Sequence, residues 1–150
     1  MNIRLRTPVK GDHASVFARF TKELLLELTP PGMKINILRY DEPTQVGSIV
    51  HLKMQMLGIV RQEWYMHITE YEEGEQRSWF TDEGVRLPGF LSKWRHRHLV
   101  EQEGDHAVIV DDVQYAGRFA FMSWLLYPVI WSQFAMRKPY YRKFFGKASS

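Results

Sequence analysis

Residues 91–115, LSKWRHRHLVEQEGDHAVIVDDVQY, carry the clearest structural signal in the sequence. Its first half alternates cations with aromatic and imidazole side chains, in the order Lys93, Trp94, Arg95, His96, Arg97, His98. Such alternation indicates a strand with two chemically different faces. The Gly104-Asp105 pair that follows is a turn signal between two strand-like runs. The stretch therefore predicts an antiparallel hairpin.

A turn at Gly104-Asp105 also fixes the register of this hairpin, because it decides which residues stand opposite each other. The predicted pairs are Trp94 with Tyr115, His96 with Val113, His98 with Asp111, Val100 with Ile109, and Arg97 with Asp112. Opposed residues lie on the same face of a sheet. One face is therefore expected to carry both imidazoles with a carboxylate and two aromatics. The other face is expected to carry an ion pair between Arg97 and Asp112.

The rest of the chain is predicted to be strand, helical segment, strand meander and C-terminal helix. Strand patterns cover residues 1–9, 33–40, 45–56, 60–68 and 76–81, and residues 85–89 form a loop. One face of the third pattern is apolar and includes Val46, Met54 and Met56. A three-residue connection at Gly58 lets that face continue into Trp64 and Met66. Glu63 has the opposite parity and is expected to point to solvent.

Two segments have helical spacing. Residues 14–28 follow an N-cap at Asp12 and end before residues 30–32, Pro-Pro-Gly. Thr21 leaves open whether this segment is one helix or two. From Phe119 onward a long helix is predicted, apolar in its first half and basic in its second. The two prolines in it, at positions 128 and 139, should kink or interrupt it.

Composition excludes several classes of protein. The 150 residues predict one domain spanning residues 1–150. The chain has no cysteine, which excludes disulfides, thiolate metal sites and cysteine nucleophiles, and it shows no secretory signal. Its apolar run 119–131 is shorter than the roughly 20 residues that span a bilayer. A net charge of +3 is too small to define a nucleic-acid footprint. We expect a cytoplasmic protein.

The element order, together with Phe90, Trp94-Arg95-His96-Arg97-His98, Gly104 and Asp111-Asp112-Val113-Gln114-Tyr115, resembles small bacterial ligand-binding members of the START/Bet v1-like (SRPBCC, helix-grip) superfamily. The resemblance implies an α+β helix-grip fold: a curved antiparallel β-sheet wrapped around a long C-terminal α-helix, with a short helical segment after the first strand. It also implies a cavity for a small hydrophobic molecule, such as a lipid or a polyketide-like compound, without a cofactor.

The candidate ligand-binding residues are those expected on the cavity face of the sheet and on the long helix: Trp94, His96, His98, Val113, Tyr115, Trp64, Met66, Met54, Trp124 and Pro128. His96, His98 and Asp111 are the candidates for acid–base catalysis, with Asp111 orienting His98. The same groups also suit a buried polar network that fixes the strand register. The His-x-His pair has a metal-ligand geometry, but no further ligand is evident, so no metal is predicted.

Three functions remain open from the sequence. The first is sequestration or transport of a hydrophobic ligand, and the second is a cyclase, dehydratase or isomerase in the same cavity. The third is an interaction protein with a closed cavity. The broad apolar surface of the C-terminal helix, followed by Arg137, Lys138, Arg142 and Lys143, suits a peripheral membrane contact or a homodimer contact. No nucleic-acid motif accompanies the outer cations at positions 39, 93, 95 and 97.

Overall fold

Residues 1–149, which the computed structural model describes, form a seven-stranded antiparallel sheet and four helices. The strands are β1 (Asn2–Val9), β2 (Met33–Tyr40), β3 (Ile49–Met56), β4 (Val60–Glu73), β5 (Arg77–Arg86), β6 (Leu91–Glu103) and β7 (His106–Gly117). The helices are α1 (His13–Ala18), α2 (Lys22–Glu27), α3 (Ala120–Ala135) and α4 (Arg137–Phe145). The strand order is β1-β7-β6-β5-β4-β3-β2, so the strands of each hairpin are neighbours.

The hairpin predicted from residues 91–115 is confirmed in detail. Strands β6 and β7 turn at Gly104-Asp105 and pair in the predicted register, from Trp94 opposite Tyr115 to Val100 opposite Ile109. The β3–β4 hairpin is also confirmed, with Leu52 opposite Trp64. In both hairpins the alternation of side chains assigned the correct residues to the inner face. The position of the turn and the two-residue period of the strands lead to the same register.

The helical segment after β1 consists of two helices. Asp12 is the N-cap of α1, and its Oδ2 accepts a hydrogen bond from the backbone N–H of Ser15 at 3.0 Å. Thr21, the predicted break, is the N-cap residue of α2. Val16, Phe20 and Leu24 are buried and share the face that packs into the core. The helical spacing was therefore correct across a break in the helix axis.

The C-terminal helix is bent, and its two prolines, which were expected to kink or interrupt it, lie on either side of the change from α3 to α4. Pro128 lies inside α3 without ending it. The chain changes from α3 to α4 at Met136, which places Pro139 in the first turn of α4. Proline is tolerated there because the first turn needs no N–H donor, whereas in an unbroken helix its ring would clash with Ala135. No helix among residues 1–149 is long and apolar enough to cross a membrane.

Helix α3 lies against the concave inner face of the sheet. Leu126, Ile130 and Phe134 recur at intervals of four residues and pack with Trp64 and Trp94. Burial of these apolar side chains between helix and sheet is the main stabilising contribution to such a fold. The helix-grip architecture, an antiparallel sheet with a long bent C-terminal helix and short helices after the first strand, is therefore confirmed.

Two predicted strand boundaries were wrong, in addition to the end of β4, which lies at Glu73 and not at residue 68. Residues 45–48 precede β3 as a loop, in which Val46 is exposed and Gly47 has a positive φ. Strand β5 continues through residues 82–86, so Val85 and Arg86 lie in the strand and not in the predicted loop. Before β3, the alternation of apolar and polar residues is interrupted by the turn residue Gly47. In β5 it continues past Thr81, and this extension carries Asp82 into the interior.

The predicted ion pair between Arg97 and Asp112 does not form, although the two residues stand opposite each other. Arg97 Nη2 instead donates to Glu70 at 3.0 Å, and Asp112 accepts from Arg4 at 3.0 Å. Thr81 stands between Glu70 and Arg97 in the strand register. Its short side chain lets the long arginine reach across β5. Glu63 points to solvent as expected and pairs with His51.

Gly117 ends β7 at the point where α3 approaches the sheet, and its N–H donates to Ser123 Oγ at 2.8 Å. A Cβ at this position would lie 2.7 Å from the Cβ of Met122 and 2.7 Å from the backbone N of Ser123. We expect Gly117→Ala to lower the free energy of unfolding by about 1–3 kcal/mol, because α3 must shift. Chemical denaturation measures this loss. Gly89→Ala is the control, since nothing lies within 4 Å of its added Cβ. Equal effects of the two changes would contradict the close approach.

Candidate functional site

A cavity of about 210 Å³ lies between the concave face of the sheet and helices α2 and α3. Its walls are mostly apolar and come from β2 to β6 and from α2 to α4. Val129 lines the cavity and is 46 % exposed, so it lies where the cavity meets the surface. Six of the predicted ligand-binding residues line it: Met54, Trp64, Met66, Trp94, His96 and His98.

The other four predicted residues do not line this cavity. Val113 and Tyr115 are buried beside it, and the hydroxyl of Tyr115 donates to the backbone carbonyl of Ser123 at 2.8 Å. Tyr115 therefore attaches α3 to β7, and both side chains form part of the core. Trp124 and Pro128 are exposed on the side of α3 that faces away from the sheet. Their placement was wrong because a helix that is apolar all round gives no sequence signal for its inner face.

The charged and imidazole groups that line the cavity form one cluster with Tyr141 and with Asp111 behind them, and it consists of Asp82, His96, His98, Asp111, Arg137 and Tyr141. His98 Nε2 lies 2.6 Å from Asp82 Oδ2, and Trp94 Nε1 donates to the other oxygen of Asp82 at 3.2 Å. His96 Nε2 lies 2.9 Å from Asp111 Oδ1. The imidazole rings of the two histidines are 3.7 Å apart between centroids. Two His–Asp pairs thus stand side by side at one end of the cavity.

This pairing corrects the predicted orientation of His98 by Asp111. Asp111 stands opposite His98 in the register, yet it bonds His96, which is its diagonal neighbour. Asp82 stands opposite His96, yet it bonds His98, again diagonally. Diagonal neighbours are within reach of long side chains. The predicted register therefore paired β6 with β7 correctly, but it did not identify which carboxylate bonds each histidine.

Burial and hydrogen bonding set the protonation of the pair formed by His98 and Asp82. Burial, together with the nearby His96, lowers the pKa of His98 to about 4, so the imidazole is neutral at pH 7. Burial alone would raise the pKa of Asp82, but the hydrogen bonds from His98 and Trp94 and the two nearby imidazoles together lower that pKa below its usual value. A neutral imidazole beside a carboxylate must donate through Nε2. The Nδ1 atom of His98 therefore carries a lone pair and can accept a hydrogen bond.

Asp111 holds the second half of the cluster together. Burial would raise its pKa, but the hydrogen bond from His96 and the charge of Arg137 lower it. Arg137 Nη1 lies 3.6 Å from Asp111 Oδ1, and the hydroxyl of Tyr141 donates to the same oxygen at 3.3 Å. The guanidinium also lies over the ring of Phe134, 4.4 Å from its centroid. Arg137 lines the cavity with few close partners, so several of its five N–H donors remain available there.

Asp82, Arg137 and Tyr141 are the members of the cluster that the sequence interpretation missed. Asp82 follows Ser78 and Phe80 on the inner face of β5, so extending the alternation by one step would have identified it. Arg137 and Tyr141 continue the helical spacing of Ile130 and Phe134 across the bend. That spacing was hidden by the basic composition, which favoured a solvated helix end.

Asp82, His96 and His98 are also the residues of this site that lie close enough to share a metal ion, with ligand atoms within 4.8 Å of one another. Two imidazoles and a carboxylate suit zinc or iron. Both carboxylates of the cluster already accept hydrogen bonds without an ion, and the cationic Arg137 lies beside it. We therefore assign no metal to this cluster.

The structure is similar to several solved structures over nearly its whole length. CV1439 from Chromobacterium violaceum has a TM-score of 0.70 at 14% identity, and 98% of each chain is covered. Norcoclaurine synthase from Thalictrum flavum, solved as a point mutant with a transition-state analogue, has a TM-score of 0.69 at 14% identity, covering 97% of this chain and 93% of that one. Ginseng major latex-like protein 151 from Panax ginseng has a TM-score of 0.62 at 15% identity, covering 94% and 97%.

These similarities confirm that the chain has the fold of the START/Bet v1-like, helix-grip proteins. Identities of this size establish the fold and leave the ligand open. No protein-family model matches the sequence, and no curated protein matches it either. The class defined by fold and site together is a helix-grip protein with an internal, largely apolar cavity that contains one polar cluster.

Proposed function

We propose that this protein binds a small hydrophobic molecule in the cavity and sequesters or transports it. The observation that carries the proposal is the contrast between a mostly apolar wall and one cluster of charged and imidazole side chains. Apolar walls supply affinity for a hydrophobic ligand, and a few placed polar groups fix its orientation. The absence of cysteine fits action in the reducing cytoplasm.

The size of the cavity limits the enclosed part of the ligand. An apolar cavity of about 150 Å³ is enough to hold benzene. The 210 Å³ here therefore suits one or two fused rings, or a short acyl segment. A longer ligand would extend past Val129 toward the surface. A complete large lipid is thus a poorer candidate than a compact aromatic or polyketide-like molecule.

The polar cluster specifies the polar end of that ligand. His98 Nδ1 is an acceptor, and the free N–H groups of Arg137 are donors. A carbonyl group of the ligand can therefore accept from Arg137, and a hydroxyl group can bond either residue or both. Trp64 and Trp94 stand edge to face with centroids 4.9 Å apart and offer aromatic surface to a flat ring. The proposed ligand is therefore an apolar ring system that carries one oxygen function.

A second candidate function is enzymatic, of the cyclase, dehydratase or isomerase type. The two adjacent His–Asp pairs favour it, because a neutral imidazole oriented by a carboxylate can remove a proton from a bound substrate. The fold of norcoclaurine synthase gives a precedent for catalysis in this architecture. Incubation of the bound molecule with the protein, followed by mass spectrometry, separates the two functions, because a binding protein returns its ligand unchanged.

The proposal is tested first by native mass spectrometry of freshly purified protein, with extraction and identification of any molecule that travels with it. A single hydrophobic compound at near-stoichiometric amount supports ligand binding. Protein without ligand that also fails to respond to a library of hydrophobic compounds in thermal-shift assays contradicts it. The third hypothesis from the sequence, an interaction protein with a closed cavity, would then be favoured.

Filling the cavity provides a sharper test. Met54 lines the cavity from β3, so Met54→Trp should occupy space that the ligand needs and weaken binding by about tenfold or more. Lys53→Trp is the matched control, because Lys53 is exposed on the opposite face of the same strand. Isothermal titration with the extracted compound measures both changes. Equal affinities of the two variants would place the ligand elsewhere.

A further inference from the structure

The side of α3 that faces away from the sheet has no partner among residues 1–149, and its members are large and apolar. We call it the outer face of α3, and it consists of Phe121, Trp124, Leu125, Pro128, Val129 and Trp131. Trp124 is 72 % exposed, and Phe121 and Leu125 are each 67 % exposed. Single exposed apolar residues are ordinary, but a contiguous aromatic and aliphatic surface of this kind indicates an interaction site.

A second exposed apolar group lies across the cavity from α3. Leu57 and Ile59, in the turn between β3 and β4, are 78 % and 83 % exposed. The turn follows Met56, whose Sδ lies 3.8 Å from Nε2 of Gln133 on α3. Met56, Gln133 and Val129 all line the cavity. The two apolar groups therefore flank the part of the cavity where Val129 reaches the surface.

The segment of the chain that carries α3 has charges of one sign only. From Val113 to the C-terminus the sequence contains no Asp or Glu and has the cations Arg118, Arg137, Lys138, Arg142, Lys143 and Lys147. Arg118 is exposed at the start of α3, and Arg61 is exposed beside the β3–β4 turn. An apolar surface rich in Trp and Phe and bordered by cations fits the interface of an anionic bilayer.

We propose that the outer face of α3 and the Leu57–Ile59 turn dock on the surface of a membrane that contains anionic lipid. A second copy of this chain fits less well, because an isologous dimer pairs this face with itself, and the segment from Val113 to the C-terminus has no carboxylate to partner its cations. Docking goes beyond the proposed function and does not depend on it. Exchange of a ligand between cavity and bilayer would be a consequence only if the cavity binds one, which rests on the proposed function.

The test is co-sedimentation of the full chain with vesicles of phosphatidylcholine alone and of phosphatidylcholine mixed with phosphatidylglycerol. Binding to the anionic vesicles is expected, with a blue shift of tryptophan emission and weaker binding at high salt. The double change Trp124→Glu and Leu125→Glu should lower the vesicle partition coefficient by about tenfold or more. Both positions are exposed, so near-native circular dichroism and melting temperature are expected.

The matched control places the same two charges at exposed apolar positions elsewhere, by Leu38→Glu and Val46→Glu. Both lie toward the opposite end of β3 from the turn, and the control should bind vesicles almost as well as the unchanged chain. Failure to bind anionic vesicles overturns the proposal, and so does equal loss in both double variants. A stable dimer in sedimentation velocity that only the α3 variant dissociates, without vesicle binding, also overturns it in favour of a second copy. None of these outcomes decides whether the cavity binds a ligand.

Discussion

Replacing Asp111 by alanine is expected to lower the free energy of unfolding by about 3–5 kcal/mol. The carboxylate is almost completely buried and accepts hydrogen bonds from His96 and Tyr141. It is also the nearest anion to Arg137, at 3.6 Å. Its removal leaves the partly buried cation Arg137 and two buried donors without this partner, and that loss exceeds the value of any single hydrogen bond.

The adjacent residue provides the matched control. Asp112 lies on the outer face of the same strand, where it accepts from Arg4 at 3.0 Å in a partly exposed ion pair. Asp112→Ala should therefore change the free energy of unfolding by about 1 kcal/mol or less. Urea denaturation at pH 7, followed by circular dichroism, measures both variants. If Asp111→Ala were as mild as Asp112→Ala, the cluster would not be the organising contact between α4 and the sheet.

The sequence predicted most of the fold because the decisive signals are local. Gly104-Asp105 sets a hairpin register that then assigns every residue from Trp94 to Tyr115 to a face. Helical spacing in residues 14–28 similarly identified the buried face of α1 and α2. These inferences need only the period of the strand or helix and the chemistry of a turn. They hold whatever the ligand is.

The candidate site was predicted less completely because it depends on contacts between distant elements. His96 and His98 were identified on the inner face, but their partners come from β5 and β7 by diagonal reach. Arg137 carries a charge that normally favours solvent, and its burial becomes favourable only beside Asp111. Trp124 was assigned to the cavity by composition, whereas the orientation of α3 turns it outward.

The second large effect expected is a loss of stability in mild acid that depends on His98. Burial first, and then the nearby His96, lowers the pKa of His98 in the folded chain to about 4, whereas the unfolded value is about 6.5. Between these two pH values the unfolded chain binds a proton that the folded chain does not. The free energy of unfolding therefore falls as the pH falls from 6.5 to 4, by about 3 kcal/mol in total.

The groups that face His98 set the limits of this pH range, and they are His96, Asp82, Asp111, Arg137 and Tyr141. The pKa values of Asp82 and Asp111 are lowered in the folded chain, so their contribution is lost only at still lower pH. Above pH 6.5 both states leave His98 neutral, and its contribution to stability is complete and constant. Below pH 4 both states are protonated, and no further loss arises from this residue.

Urea denaturation at a series of pH values from 7.5 to 4 measures this slope. His98→Gln keeps a polar group beside Asp82 but cannot titrate, so its stability should depend much less on pH in this range. His67→Gln is the control, because His67 lies on the outer face of β4, opposite in parity to Met66 and Ile68. That variant should retain the slope of the unchanged chain. Parallel curves for all three proteins would mean that His98 is protonated as readily in the folded chain as in the unfolded one, and the buried neutral imidazole assigned to the cavity would then be wrong.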